Sequence, residues 1–358
     1  MKILCLCWHP SSMSGRSAGG FTRLYEILRR SPHPVTVIDR YPSIYADLSR
    51  TNVTLIEYRL PTSFLADRLF TPFLLIWQVL LQKSSSPLIL YVPFSELPQL
   101  TLAGALLKFL TGSPLVLTNL NVNTYTVDRL VNVVLHRFAD RIITLSRDLQ
   151  ANLRAVGISA GFINGVGFDP QAYRRPAPAA KKKYHAVFVG RHIPEKGLWD
   201  LLAAWRQVVA GLPSAVLVTA GDVPDYLRSQ IDEYLAKSGL QKNVILLGQL
   251  SESGKIRLFH QSRICLFPSR QEGWGIVPQE ALACGLPVVA YRLPVYRESL
   301  GASSAIRLVP VGDTRALAET ALDTLAHLAR YRQAAGNWSP PVDWDTVSAQ
   351  EWAIICRP

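Results

Sequence analysis

The sequence predicts an α/β protein built from two Rossmann-like, doubly wound halves. Three observations carry that expectation. The chain has 358 residues, comfortable for two domains. Short apolar runs alternate with segments of helical period along most of its length. The alternation breaks once, near residue 175, and then restarts. Strands this apolar, with helices between them, imply parallel sheets covered on both faces.

The elements follow in order. KILCLC (2–7) reads as a buried strand and SMSGRSAGG (12–20) as a loop. FTRLYEILRR (21–30) places Phe21, Leu24, Tyr25 and Leu28 at helical spacing. VTVID, TLIEY, LILYV, PLVLT and RIITLS continue the strand series. YRRPAPAAKKKY (173–184) is rich in proline and alanine, then basic, and is assigned as a linker. HAVFVG, AVLVTAG, NVILLG, ICLFPS and PVVAY restart the pattern. The expected organisation is a first domain over 1–170, a linker over 171–184, a second domain over 185–340 and a terminal helix over 341–358. Two such halves form a cleft, and ligands bind outside the carboxyl ends of the strands. GR (190–191), AGD (220–222) and PSRQEG (268–273) all follow strand ends and are expected to line it.

Composition narrows the partners. The formal charge is +12, with more of it expected in the first half, so an anionic partner is expected. Nucleic acid is disfavoured, because no basic helix or basic–aromatic run is present. The five cysteines lack metal-ligand spacing, and the chain is read as cytoplasmic with reduced thiols. The N-terminus lacks the length of a signal peptide, and no run is long enough to span a membrane. FLADRLFTPFLLIWQVLLQK (64–83) is unusually apolar. It reads either as a helix packed on the first sheet or as a helix lying in an anionic membrane surface.

The stretch EGWGIVPQE (272–280) sets two acids eight positions apart around two glycines. Gly273 and Gly275 permit close backbone approach and unusual conformations. Pro278 fits a helix start, so Glu280 is expected in the first turn of a helix, and Gly285 ends it. Free N–H groups at that start suit an anion such as phosphate. Carboxylates on either side suit vicinal hydroxyls. On spacing alone, Glu280 reads equally well as an ordinary acid near a helix start. FVGRHIPEKG (188–197) adds Arg191 and Lys196 at another strand end. Two cations there would neutralise a diphosphate leaving group, with no metal required.

These segments, with VTAGDVP (218–224) and NVILLGQL (243–250), resemble the retaining GT-B glycosyltransferases of family 4, which use nucleotide-sugar donors. The resemblance spans nearly the whole chain and is most specific in the second half. SAGG (17–20), LSRDLQANLRAVGISAGFINGVGFD (145–169) and the approach to the last helix match more loosely. It implies that Arg191 and Lys196 hold the diphosphate and that Glu272 contacts the sugar. It implies that the N–H groups of Trp274 and Gly275 face sugar and phosphate, and that Glu280 takes the ribose hydroxyls. Gly19, Gly20, Gly190 and Gly273 would bring backbone close to the donor, and Gly248 to Leu250 would meet the base. The implied donor is a GDP- or UDP-sugar, the acceptor a hydroxyl, and no other cofactor is expected.

One departure stands out. Many relatives carry a histidine after the strand that here reads PLVLT, whereas this chain has Asn119, Leu120 and Asn121. Asn119 or Asn121 would then contact the sugar. His9, after the first strand, is a substitute, though packing is the favoured reading for it. An exposed loop is favoured for His192. DWD (343–345) resembles a metal motif of another fold but sits near the last helix, and no metal site is expected. Two other readings stay open: a catalytically silent binding or partner subunit, and a sugar-nucleotide epimerase.

Overall fold

In the computed structural model, the described residues are 2–9, 19–59, 64–81, 88–121, 126–174 and 182–357; the side chains of 64–68, 126 and 127 are not among them. The chain divides into two compact units, Met1–Gly167 with Val342–Pro358, and Phe168–Pro341. Half of the assigned linker, 175–181 including Lys181, lies outside the described residues, as does the first part of the expected loop, 12–18.

The first unit holds a parallel sheet of β1 (Lys2–Leu6), β2 (Val35–Asp39), β3 (Val53–Glu57), β4 (Leu88–Val92), β5 (Leu115–Asn119), β6 (Arg141–Thr144) and β7 (Gly161–Phe162). Its order is β3-β2-β1-β4-β5-β6-β7, with Ile3 opposite both Val35 and Ile89. Chain order reverses between β1 and β4, which opens a crevice at their carboxyl ends. Helices α1 (Gly19–Arg29), α2 (Phe64–Leu81), α3 (Pro98–Thr111), α4 (Thr126–His136) and α5 (Arg147–Arg154) connect the strands. Gly19 and Gly20 are the first residues of α1, not part of the loop expected over 12–20. The helix starts two residues early because nothing in GGF forbids helical backbone.

The second unit begins with α6 (Gln171–Arg174), one turn inside the segment read as linker. Its sheet contains β8 (Tyr184–Val189), β9 (Leu217–Ala220), β10 (Val244–Leu246), β11 (Ser262–Phe267), β12 (Val288–Tyr291) and β13 (Ile306–Val309). The order is β10-β9-β8-β11-β12-β13, so the reversal falls between β8 and β11. The covering helices are α7 (Leu198–Gly211), α8 (Asp225–Lys237), α9 (Glu252–Gln261), α10 (Ile276–Ala283), α11 (Tyr296–Ser299), α12 (Thr314–Ala326) and α13 (Leu328–Gly336). The strands are almost wholly buried, as apolar parallel strands covered on both faces must be.

Helix α14 (Trp344–Ile355) returns to the first unit and packs on α1 and β6. Its buried Glu351 forms an ion pair with Arg23 and accepts from Tyr91 at 2.6 Å and Thr118 at 3.0 Å. Trp352 Nε1 donates to Ile27 O at 3.0 Å. The DWD acids have structural partners here. Asp343 caps α14 by accepting from Thr346 N, and Asp345 pairs with Arg30 at 2.6 Å.

Candidate functional site

In the second unit, the functional candidates stand on loops after the carboxyl ends of β8, β9, β10 and β11. The β8 and β11 loops flank the order reversal. Local backbone rules explain how they come so close. Gly197 has φ +74°, and a Cβ there would lie 1.9 Å from Pro268 O, so only glycine lets the β8 loop rest on the β11 loop. Arg270 N donates to Glu195 O at 3.0 Å, and Arg270 grips Asp200 with two bonds of 2.8 and 2.9 Å. The two loops are thereby fastened together.

Across that seam Lys196 Nζ meets Glu272 Oε1 at 2.6 Å, with both side chains mostly buried. Spacing in the sequence gave no sign of this pairing, because 76 positions separate the two residues. Arg191 is exposed and forms no ion pair among the described residues. A cation without a fixed partner at a strand end is free to meet a ligand anion. His192 is fully buried, contrary to the exposed loop expected for it. Its Nε2 bonds Thr219 Oγ1 at 2.8 Å and its N donates to Asp222 O at 2.8 Å, so it ties the β8 loop to β9. Burial lowers its pKa, which favours the neutral ring.

Helix α10 starts at Ile276, two residues before the expected proline. Glu280 is therefore its fifth residue, not a first-turn acid. Gly275 precedes it with φ +85°, and a Cβ there would lie 2.6 Å from the Tyr296 ring. The helix ends as expected at Gly285. Leu286 N bonds Ala281 O and Gly285 N bonds Leu282 O, both at 2.9 Å, which satisfies the last carbonyls.

Glu280 is buried and its Oε1 is fully engaged, at 2.6 Å from Lys255 Nζ and 3.0 Å from the Tyr173 hydroxyl. The same Tyr173 hydroxyl lies 2.6 Å from Glu252 Oε1, so its one proton serves one carboxylate at a time, and Lys255 bridges to Glu252 at 3.0 Å. Oε2 of Glu280 is buried with no hydrogen-bond partner, as is Trp274 Nε1. Unsatisfied buried acceptors are costly, so a ligand donor at Oε2 would relieve a real penalty. Burial pushes the Glu280 carboxyl up and Lys255 opposes the rise. Burial disfavours the charged Lys255, but Glu280 and Glu252 outweigh it and hold its pKa up. Sequence reasoning missed Tyr173 and Lys255. An aromatic inside a proline-rich stretch was the only available hint for Tyr173; nothing in SESGK marks Lys255.

Of the remaining donor candidates, Gly190, Gly248, Leu250 and Gly273 lie in this unit, and Gly19 and Gly20 lie in the first. Gly248 has φ +68°, its carbonyl accepts from Gly221 N at 2.8 Å, and Leu250 precedes the Ser251 cap of α9. Gly190 follows β8 and bonds Ala220 O at 2.9 Å. Gly273 does not take positive φ; of the two glycines in the motif only Gly275 does.

The first-unit candidates do not form one cluster. His9 is buried against Phe21 at 4.4 Å, and its N donates to Asp39 Oδ1 at 2.9 Å. Phe21 packs on Phe94 at 4.9 Å, and a Cβ on Gly20 would meet Phe94 at 3.1 Å. Burial pushes the Asp39 and Glu96 carboxyls up to about 7. Asn119 and Asn121 instead line a small cavity with Asn132 and His136 of α4.

Comparison with known proteins now adds to this geometry. Residues 169–337 match the family model described as glycosyl transferases group 1. The chain is 28% identical over 208 residues to 2-deoxystreptamine N-acetyl-D-glucosaminyltransferase of Streptomyces fradiae, covering 57% of this chain and 49% of that protein. It is 32% identical over 170 residues to phosphatidyl-myo-inositol mannosyltransferase of Mycobacterium leprae, covering 46% of this chain and 44% of that protein. The chain spans about half the length of the curated relatives it matches. Among solved structures, HepE of Anabaena in complex with UDP and glucose aligns with TM-score 0.76, 20% identity and 98% coverage of both chains. Sucrose-phosphate synthase of Thermosynechococcus elongatus aligns with TM-score 0.77, 19% identity, and coverage of 98% of this chain and 97% of that one. The fold is GT-B.

Proposed function

We propose that this chain, whose residues 169–337 belong to the glycosyl transferases group 1 family, is a hexosyltransferase. It moves a sugar from a nucleotide-diphosphate sugar to an acceptor hydroxyl, with retention and without metal. The observation that carries this reading is the Lys196–Glu272 pair at 2.6 Å beside the start of α10, with exposed Arg191 on the same loop as Lys196. Cations and helix N–H groups at one place suit a departing diphosphate. UDP-bound HepE supports a UDP-sugar donor, and GDP is the alternative.

In the proposed reaction, the acceptor oxygen attacks the anomeric carbon on the face the nucleotide leaves. The bond from that carbon to the phosphate oxygen breaks, and the departing phosphate takes the acceptor's proton. Arg191 and Lys196 stabilise negative charge on the leaving group. Glu272 orients the sugar, and donor binding would draw Lys196 from Glu272 toward phosphate. Trp274 and Gly275 present N–H groups to the same region. Glu280 accepts from the ribose hydroxyls through Oε2, the atom left unpartnered. Gly19, Gly20, Gly190, Gly248 and Leu250 shape the donor and base end, with His9, Asn119 and Asn121 on the sugar or acceptor side. The acceptor is a glycan, glycolipid or lipid-linked hydroxyl. One relative's name, phosphatidyl-myo-inositol mannosyltransferase, supports a lipid-linked one. The protein then works in the cytoplasm, peripherally at an anionic membrane face.

Glu272→Ala tests the assignment. Release of nucleoside diphosphate from UDP- and GDP-sugars should fall by about 1000-fold in a variant that stays folded. Full activity in that variant would remove Glu272 from the mechanism. A wild type inactive on every donor would favour a silent partner subunit.

A further inference from the structure

The first unit exposes apolar side chains in a pattern that core packing does not explain. Among the described residues, fourteen large hydrophobic ones are exposed there, all on or just after α2, α3 and α4, against four in the second unit. On α3 they fall at 102, 106, 109 and 110, one clean helical face, while Leu100, Ala103 and Leu107 on the other face are buried. Phe73 on α2 is 67% exposed and Phe109 on α3 is 70% exposed. Helix α3 packs on both α2 and α4, and Phe109 contacts Phe138 with ring centroids 5.7 Å apart. The three outer stripes therefore join into one face. A soluble surface rarely carries so continuous an apolar patch without a purpose.

We infer that the joined outer face of α2, α3 and α4 docks on an anionic lipid bilayer. Two observations select lipid over protein. Protein interfaces carry about one hydrogen bond per 100–200 Å², whereas on α3 the four exposed stripe positions, 102, 106, 109 and 110, are all leucine or phenylalanine. Charge is the second. Arg129 and Arg137 are exposed beside Leu130 and Val134 and form no ion pair among the described residues. The neighbouring acid Asp140 is already held by Lys108 at 2.6 Å. Arginines rimming an apolar face suit acidic headgroups above hydrocarbon, and Trp77 suits the interface between them. No described helix is long and apolar enough to cross a membrane, so the face lies on the bilayer. Net charge as a whole does not single out this unit. By count, residues 1–170 hold sixteen Lys and Arg against ten Asp and Glu, half of the +12, which corrects the expected bias toward the first half.

This deepens the proposed membrane-side reading, yet it is measured without transfer, so either can fail alone. The test is flotation of the full chain with vesicles of phosphatidylcholine alone and of equimolar phosphatidylcholine and phosphatidylglycerol. Binding to the anionic vesicles is expected, weaker at high salt. The double variant Phe73→Ser, Phe109→Ser should lose it with Tm unchanged. Arg129→Gln and Arg137→Gln should each lower it about fivefold. No flotation with anionic vesicles overturns the inference. So does binding that neither set of variants alters, or a concentration-dependent dimer abolished by Phe109→Ser, which would assign the face to a second copy.

Discussion

The two sheets reverse their strand order in the same way, but the edges they present differ. In the second unit the reversal is lined by paired charges: Lys196 with Glu272 at 2.6 Å, and Lys255 with Glu280 at 2.6 Å. In the first unit Asp39 is buried and Glu96 Oε2 is shielded from solvent, and desolvation pushes both carboxyls up to about 7. Cations pair with the carboxylates at one edge, whereas at the other desolvation raises the carboxyl pKa values. The contrast teaches that one scaffold can build an anion-handling edge or a neutral one, depending on where the cations fall. The neutral edge would suit an acceptor that must come out of water, and the charged edge a diphosphate.

The largest break in that comparison should come from Lys255→Met. It leaves Glu280 buried beside Glu252 without its cation, so the carboxyl should rise further and its charged form should be disfavoured. Donor affinity should fall by about tenfold or more. It should fall further as pH is lowered, and more steeply than in the wild type. A pH-independent loss would mean that Lys255 acts only through packing.

A smaller effect is expected from Asp39→Asn. Burial raises the folded pKa of Asp39 to about 7, above its unfolded value. Its stabilisation is therefore complete below the unfolded pKa and is lost as pH rises through about 7. Asparagine can still accept the three backbone N–H bonds of His9, Arg40 and Tyr41 at Oδ1. The variant's Tm should gain on the wild type's as pH rises from 5 to 8, by a few degrees, on the order of 1–2 kcal/mol. Equal Tm differences at both pH values would refute the raised pKa.

Much of this was legible in the sequence, and for physical reasons. Apolar runs such as LILYV and VVAY announce buried parallel strands because both faces are covered. Gly275 and Gly285 mark the ends of α10 because only glycine takes their positive φ cheaply. The start of α10 was misjudged because Pro278 is tolerated anywhere in a first turn, so it does not fix the first residue. His192 was misread because a histidine between Arg191 and Ile193 looks solvated; its partner Thr219 is 27 positions away. The Tyr173–Glu252–Lys255–Glu280 cluster was invisible for the same reason, since tertiary contacts leave no local period. The outer stripes of α3 and α4 were hidden because a helix apolar on most sides reads simply as buried.

The second unit's charged edge is proposed to hold a nucleoside diphosphate. Calorimetric titration of UDP and GDP into the wild type, Lys196→Ala and Glu280→Ala, all in EDTA, tests it most directly. The account predicts that one nucleotide binds the wild type without metal, that Lys196→Ala weakens it by roughly tenfold, and that Glu280→Ala does the same through the ribose. Binding of neither nucleotide, or equal binding by all three proteins, would contradict it.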